Sequence, residues 1–448
     1  MRRYAAAHRT SSYAARKQKL LHLKKMVLQY EQELHQALYT DLKKSAEESW
    51  VTETGFFLAE LTYTLKHLKQ WMQPQRLGTN LLNFPGKSFI YKEPLGVVLI
   101  IGPWNYPFQL LFAPLIGALA AGNCVVLKPS EAAPATASLM EKLIAQTFSK
   151  EEVLFVQGEG ATVVPAMMNA FRFDHVFYTG STVVGQKIYS MAAEKLTPVT
   201  LELGGKSPCV VAHDANIKIA ARRIALTKFS NAGQMCVAPD YVLVHQSVKK
   251  AWMEEMKEVI PRFFTADPAT SYNYGKIINT RQFDRLKHYI EKGTVAFGGQ
   301  FDAATHYMAP TLLEDVTIED AVMGEEIFGP VLPVLPFETF EEAKRIIAKN
   351  PDPLAFYIFT ENRETEKKWL EGISFGGGCV NNASWHLTNP LLPFGGRGNS
   401  GIGRYHGRYS FDVFTHQKSI LKSPTWFDPN VKYPPFKGKL KLFKTLIK

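Results

Sequence analysis

GVVLIIGPWNYPFQLLFAPLIGALAAGNCVVL runs from Gly96 to Leu127 without one charged residue, and Lys128 ends it. A run of that length first suggests a membrane span. It is broken by GPWNYP (Gly102 to Pro107) and again by Pro114, so it does not read as one continuous spanning helix. The consistent parse is a β-rich strand GVVLII, a loop, a short buried helix LLFAPLIGALAAG and a second strand CVVLK. Such a unit is βαβ with apolar residues on both faces, as in a parallel sheet covered by helices.

The same rhythm continues outward. EEVLFVQGEG reads as a strand and turn, HVFYTGSTVVGQKIYSMAAEK as a strand, Gly turn and helix, and PVTLELGGKSPCVVA as two strands about a GG corner. Alternation of this kind predicts a doubly wound parallel sheet. A helical stretch then leads to Cys236, and YVLVHQ opens a second α/β series that runs through YIFTE, so a new core is expected to start near Leu203. Upstream, Leu20, Leu23, Val27, Leu34, Leu38 and Leu42 form a helical apolar stripe, which argues for an N-terminal helix rather than a transit peptide. The last hundred residues turn Gly-rich, which suits loops that approach a ligand or partner closely.

At 448 residues the chain exceeds the ~250–300 at which a single core stops growing, so two or three domains are expected. Its net charge of +11 belongs to the ends: residues 1–30 carry eight Lys or Arg and residues 432–448 six Lys, with no acid in either. The body is left slightly acidic, which argues against a nucleic-acid groove. Cys124, Cys209, Cys236 and Cys379 lie far apart, with no C-x-x-C pair and no H-E-x-x-H, so neither a disulfide framework nor a metal site is indicated. The expected setting is the reducing cytoplasm.

The chemistry centres on FSNAGQMCVAPDY (Phe229 to Tyr241). Cys236 sits among small and amide residues; it is a nucleophile if its surroundings favour thiolate, or a small buried hydrophobe. Asn105 of PWNYP is an oxyanion donor at a strand end or a turn residue. Glu202 of LELGGK is a general base in an apolar strand, or a core carboxylate paired with Lys206. TGSTVVG (Thr179 to Gly185) joins a strand to a helix and could bind phosphate, but Thr182 takes the second glycine of G-x-G-x-x-G, and a plain βα turn is the alternative. LKPSE puts Lys128 and Glu131 past another strand end, where they hold a ribose or are simply solvated. EEIFGP offers Glu326 and Phe328.

With PWNYP, LKPSE, TGSTVVG, LELGGKSP, GQMCVAPDY, EEIFGPV and LPFGGRGNSGIGRYHG in this order, the chain resembles the aldehyde dehydrogenase superfamily, its class 3 branch in particular, over nearly all its length. The resemblance implies an α/β fold of two doubly wound Rossmann-like domains with a small β oligomerisation arm. It divides the chain into an NAD(P)-binding domain (1–80 and 97–202), a catalytic domain (203–385), oligomerisation segments (81–96 and 386–430) and a basic amphipathic tail (431–448). It implies oxidation of aldehydes, medium- or long-chain aliphatic or aromatic, to carboxylates with NAD or NADP through a thioester. Cys236 would be the nucleophile, Glu202 the base and Asn105 the oxyanion donor, assisted by the backbone N–H of Cys236. Gly180, Ser181, Thr182, Val183, Val184, Gly185, Lys128 and Glu131 would hold the adenosine half of the cofactor. Trp104 would also bind the cofactor, Glu326 and Phe328 would face its nicotinamide end, and Tyr106 and Met235 the substrate pocket. A homodimer is implied too.

Two other readings compete. A relative that passes the acyl group to coenzyme A has no need of the base Glu202. A membrane-surface protein is suggested by KGKLKLFKTLIK, where Leu442, Phe443, Leu446 and Ile447 share one helical arc and Lys441, Lys444 and Lys448 the opposite one. The same tail could instead close over a substrate tunnel or a neighbouring subunit.

Overall fold

Strand Val97–Ile101 and strand Cys124–Lys128 pair in parallel, and helix Gln109–Ala121 crosses between them. Every residue of the three elements is buried. The helix is buried all round because it lies between this sheet and helices Tyr13–Gln29, Gly55–Trp71 and Gly407–Val413. This computed structural model describes residues 1–447, so Lys448 of the tail lies outside the described residues. Among the described residues no helix is long and apolar enough to cross a membrane.

Around that unit stands a six-stranded sheet in the order Gly401–Ile402, Val199–Glu202, His175–Thr179, Val97–Ile101, Cys124–Lys128 and Val153–Phe155. All its pairs are parallel except the first, where Gly401 lies opposite Glu202. A seven-stranded sheet follows, with Pro208–Val211 at its interior between Tyr241–His245 and Ala355–Phe359. The two strands of PVTLELGGKSPCVVA therefore belong to different sheets, and the chain crosses between them at Leu203–Ser207. These two mainly parallel sheets with their helices form the expected α/β architecture. Strand Lys87–Pro94 pairs antiparallel with Gln75–Leu77 on one side and Thr415–Lys422 on the other, making a small third sheet.

The N-terminal stripe is buried throughout, but two helices carry it rather than one: Tyr13–Gln29 and Glu31–Leu42. They meet at Tyr30, whose backbone (φ −103°, ψ 18°) leaves the helical region while its hydroxyl donates to the Gln146 side chain at 2.9 Å. No proline or glycine marks that break, so a periodicity argument passes over it.

Beyond these helices lies the contact that ties the N-terminal segment to the loop after Val97–Ile101. Lys44 and Glu53 are fully buried and form an ion pair at 2.8 Å. Glu53 belongs to the π-helical turn Trp50–Thr54, and its second oxygen accepts from the backbone N–H groups of Phe108 at 3.1 Å and Gln109 at 2.8 Å. Lys44 Nζ also donates to the Asn105 carbonyl at 3.0 Å and stands 3.8 Å from the centre of the Tyr106 ring.

Replacing Lys44 by Met leaves Glu53 buried without its counter-charge. Stability should fall by ~3–5 kcal/mol, read as a lower urea midpoint, and Lys44→Met/Glu53→Leu should recover much of the loss.

Candidate active site

Helix Ile217–Phe229 ends in a sharp turn in which Asn231 (φ 51°), Ala232 (φ 50°) and Gly233 (φ 73°) are all left-handed. A side chain at Gly233 would run into the backbone of Gly329 and Pro330. The small residue thus admits the Glu325–Pro330 loop. Both flanks of Cys236 are pinned. The Gln234 side chain donates to the carbonyls of Asn231 and Lys276 at 2.9 Å each and accepts from Ile278 N–H at 3.0 Å. On the other flank Tyr357 Oη donates to the Val237 carbonyl at 2.6 Å.

Asn105 is buried, and its Nδ2 donates to the Gln234 carbonyl at 3.1 Å, two residues from Cys236. Its own carbonyl accepts from Asn231 Nδ2 at 2.9 Å as well as from Lys44. The structure therefore joins the PWNYP loop to the cysteine turn. An amide carries two N–H donors, so one remains for another acceptor.

Glu202 closes its strand, 2% exposed, and neither carboxylate oxygen has a partner among the described residues. Lys206, the partner that the sequence suggested, pairs instead with Asp240 at 2.6 Å and donates to the carbonyls of Val322 at 2.7 Å and Glu325 at 2.9 Å. Burial holds the Glu202 carboxyl well above the usual carboxylate range. Cys236 is affected in the same sense: burial first, then Glu326 and Glu202, push its thiol up, while the N–H groups of Cys236 and Val237 act the other way. These surroundings favour the thiol over the thiolate, through burial first and the two neighbouring carboxyls second.

Glu326 is half-buried, but its Oε1 is shielded from solvent and unpartnered among the described residues. Burial, reinforced by Asp240, raises its carboxyl to about 8. The approach is so close that a Cβ at Gly204 would collide with this carboxylate, so the glycine of the GG corner makes its space. Asp240 fixes the loop by accepting from Ile327 N–H at 3.0 Å, and Arg285 donates to the carbonyls of Glu326 at 3.1 Å and Ile327 at 2.6 Å. Phe328, held at φ 51°, meets Trp104 edge-to-face with ring centres 5.2 Å apart. Tyr106 is buried under Lys44 with its hydroxyl unpartnered among the described residues, and Met235 is half-buried beside the thiol.

The remaining predicted residues line the ends of the six-stranded sheet. Lys128 is buried, not solvated, and its Nζ meets Glu131 at 3.1 Å; Glu131 also accepts from Gly160 N–H at 3.2 Å. Among the described residues neither shares a hydrogen bond with the Cys236 turn. Ser181 precedes helix Thr182–Ala193, Gly180 N–H donates to the Glu202 carbonyl at 3.0 Å, and Thr182 Oγ1 donates to the Asn399 carbonyl at 3.2 Å. Val183 and Val184 are exposed in the first turn, whereas Gly185 is buried where a side chain would meet Leu203. A dinucleotide fits these features: an open helix N-terminus for phosphate, a glycine-made space at Glu326, and an unpartnered carboxyl within it. No group of three His, Cys, Asp or Glu suited to a metal occurs among the described residues.

Lys44, Glu53, Asn231 and Asp240 escaped the sequence reading as contributors. Asn231 and Asp240 stand within the quoted cysteine stretch and could have been found there. Lys44 and Glu53 could not, since their link to Asn105 spans more than fifty residues of chain.

The description of the Aldehyde dehydrogenase family matches residues 2–420. The chain is 45% identical over 441 residues to the 4,4'-diaponeurosporen-aldehyde dehydrogenase of Staphylococcus aureus, covering 98% of this chain and 96% of that one. It is 43% identical to human aldehyde dehydrogenase family 3 member B1, covering 96% and 92%. The solved substrate-bound state of Staphylococcus aureus AldH superimposes with a TM-score of 0.97 at 44% identity, over 100% of this chain and 98% of that one. The chain belongs to the aldehyde dehydrogenase family, in its class 3 branch, and is an NAD(P)-dependent enzyme that oxidises aldehydes.

Proposed function

We propose that Cys236, Asn105 and Glu202 carry the oxidation, a reading supported above all by the unpartnered, buried Glu202 carboxyl whose charge acts on the thiol. The sulfur of Cys236 adds to the aldehyde carbon, and the oxygen takes up charge against the free N–H of Asn105 and the N–H of Cys236. Bound NAD(P) supplies a hydride acceptor, held at one end by Gly180–Gly185, Lys128 and Glu131 and at the other by Glu326, Phe328 and Trp104. The acyl group left on Cys236 is hydrolysed by a water whose proton passes to Glu202. Tyr106 and Met235 line the aldehyde's approach. In this reading residues 1–80 and 97–202 serve the cofactor, and 203–385 carry the thiol.

The proposed substrate is a long-chain aliphatic aldehyde, handled in the cytoplasm near a membrane surface. A relative from Staphylococcus aureus is named 4,4'-diaponeurosporen-aldehyde dehydrogenase. The tail supports the location: Trp426, Phe436, Leu440 and Ile447 are exposed, interleaved with Lys437, Lys439, Lys441 and Lys444. We assign dimerisation to segments 81–96 and 386–430, around an arm that exposes Leu81, Phe84 and Leu421.

Absorbance at 340 nm with NAD and with NADP, against hexanal, a long-chain aldehyde and benzaldehyde, tests the reading. Cys236→Ala should abolish turnover, and Asn105→Ala should lower it by ~10²–10³. A base with a raised pKa is ionised only as pH rises, so turnover should climb towards alkaline pH. Glu202→Gln should cut turnover by ~10²–10⁴, yet keep the first burst of reduced cofactor. A Glu202→Gln enzyme that still hydrolyses its thioester would overturn the assignment. Deleting residues 436–448 should abolish flotation with anionic liposomes; unchanged flotation would remove the membrane role.

A further inference from the structure

Asn231 has no part in the chemistry above, yet its side chain holds the main chain of both segments that supply the oxyanion donors. Its Nδ2 donates to the Asn105 carbonyl at 2.9 Å and to the Gln234 carbonyl at 3.1 Å. Each carbonyl takes a second donor: Lys44 Nζ on Asn105 at 3.0 Å, and the Asn105 side chain itself on Gln234 at 3.1 Å. Both lone pairs of each carbonyl are thereby filled. The N–H groups of the Asn231 amide are spent in doing so, and its Oδ1 has no partner among the described residues, so the donor end alone holds this side chain.

The consequence falls on direction. An amide group is planar, so fixing one N–H of Asn105 on the Gln234 carbonyl fixes the heading of the other, which is free for an incoming acceptor. The second donor is set in the same way. The Met235 carbonyl accepts from Ala238 N–H at 3.0 Å, and across a trans peptide the N–H of Cys236 points the opposite way. The Gln234 carbonyl, one peptide earlier, joins the two. Asn231 is itself held in a costly backbone conformation, at φ 51°, which persists in a residue other than glycine only where its neighbours impose it. Half-buried Glu48, in the short helix Ala46–Ser49, accepts the Asn231 N–H at 2.7 Å, and the Asn231 carbonyl accepts from Gln234 N–H at 3.1 Å and Gln234 Nε2 at 2.9 Å.

We propose that Asn231, pinned by Glu48, is a positioning residue that aims the free N–H of Asn105 and the N–H of Cys236 at the point where the aldehyde oxygen takes up charge. This rests on the assignment of Asn105 as the oxyanion donor. Asn231 acts through the two carbonyls and needs no contact with aldehyde or cofactor. A residue that merely stabilised the turn would change stability and leave the contribution of Asn105 as it was.

The test is the first burst of reduced cofactor at 340 nm in the full-length enzyme with hexanal and NAD, which reports thiol addition and hydride departure and precedes the step assigned to Glu202. Asn231→Asp keeps the shape and the tolerance for a left-handed backbone but sets an oxygen against the two carbonyls. It should slow the burst by ~10–10², the scale on which a small misplacement of a catalytic group acts. Glu48→Leu should slow it as well, and Glu48→Gln, which keeps an acceptor for the Asn231 N–H, should restore most of the rate. NADH affinity, followed by dihydronicotinamide fluorescence, should match wild type throughout. In an Asn105→Ala background Asn231→Asp should cost less than it does alone, because the amide it aims is gone. An Asn105→Ala enzyme with the wild-type burst rate would mean that the oxyanion assignment fails. If Asn105→Ala slows the burst but Asn231→Asp leaves it unchanged, or slows it by the same factor in both backgrounds, the role of Asn231 fails. If Glu48→Leu matches wild type, or Glu48→Gln is as slow as Glu48→Leu, the role of Glu48 fails.

Discussion

The buried ammonium of Lys44 is the contact on which the site's geometry depends. It meets the Glu53 carboxylate, the Asn105 carbonyl and the Tyr106 ring at once. Glu53 in turn holds the first N–H groups of the central buried helix. A buried ion pair adds little net stability compared with well-packed apolar residues, but its directional demands leave one arrangement of the loop that satisfies every partner. Through the Asn105 carbonyl that arrangement reaches Asn231, and through the Asn105 amide it reaches Gln234, so the loop of one sheet and the thiol turn of the other are set against each other.

Four carboxylates around the site, Glu53, Asp240, Glu202 and Glu326, differ in how their oxygens are partnered. Glu53 and Asp240 each meet a lysine and backbone N–H groups. Glu202 and Glu326 retain unpartnered oxygens and are pushed up mainly by loss of water. The first two act as structural anchors, and their hydrogen-bonding capacity is spent within the protein. The second two leave hydrogen-bonding capacity unused among the described residues, which the roles proposed for them in water activation and cofactor contact require.

Much of this was legible in the chain. The uncharged run from Gly96 to Leu127 has one consistent parse, because GPWNYP cannot sit inside a spanning helix, and its strand, loop, helix and strand are all present. The apolar stripe from Leu20 to Leu42 was legible as buried helix, but not the break at Tyr30, where a tertiary hydrogen bond to Gln146 accompanies the change in backbone. Lys128 read equally well as a solvated residue, since a lysine at a strand end does not reveal whether its ammonium turns inward. Lys206 was matched to the nearest carboxylate in sequence, Glu202, yet it crosses to Asp240.

Local pattern thus determined the alternation of strands and helices, the collinear motifs and, with them, the family and its reaction. Periodicity and turn chemistry act over a few residues, and those are written in the order of the chain. Only the tertiary structure decided which charges are paired, which carboxyls stay free, and which groups push the thiol up. Those outcomes depend on burial and on partners drawn from distant segments, as when Lys44 meets Asn105 and Lys206 meets Asp240, and electrostatics in a dry interior answers to distance in space rather than in sequence.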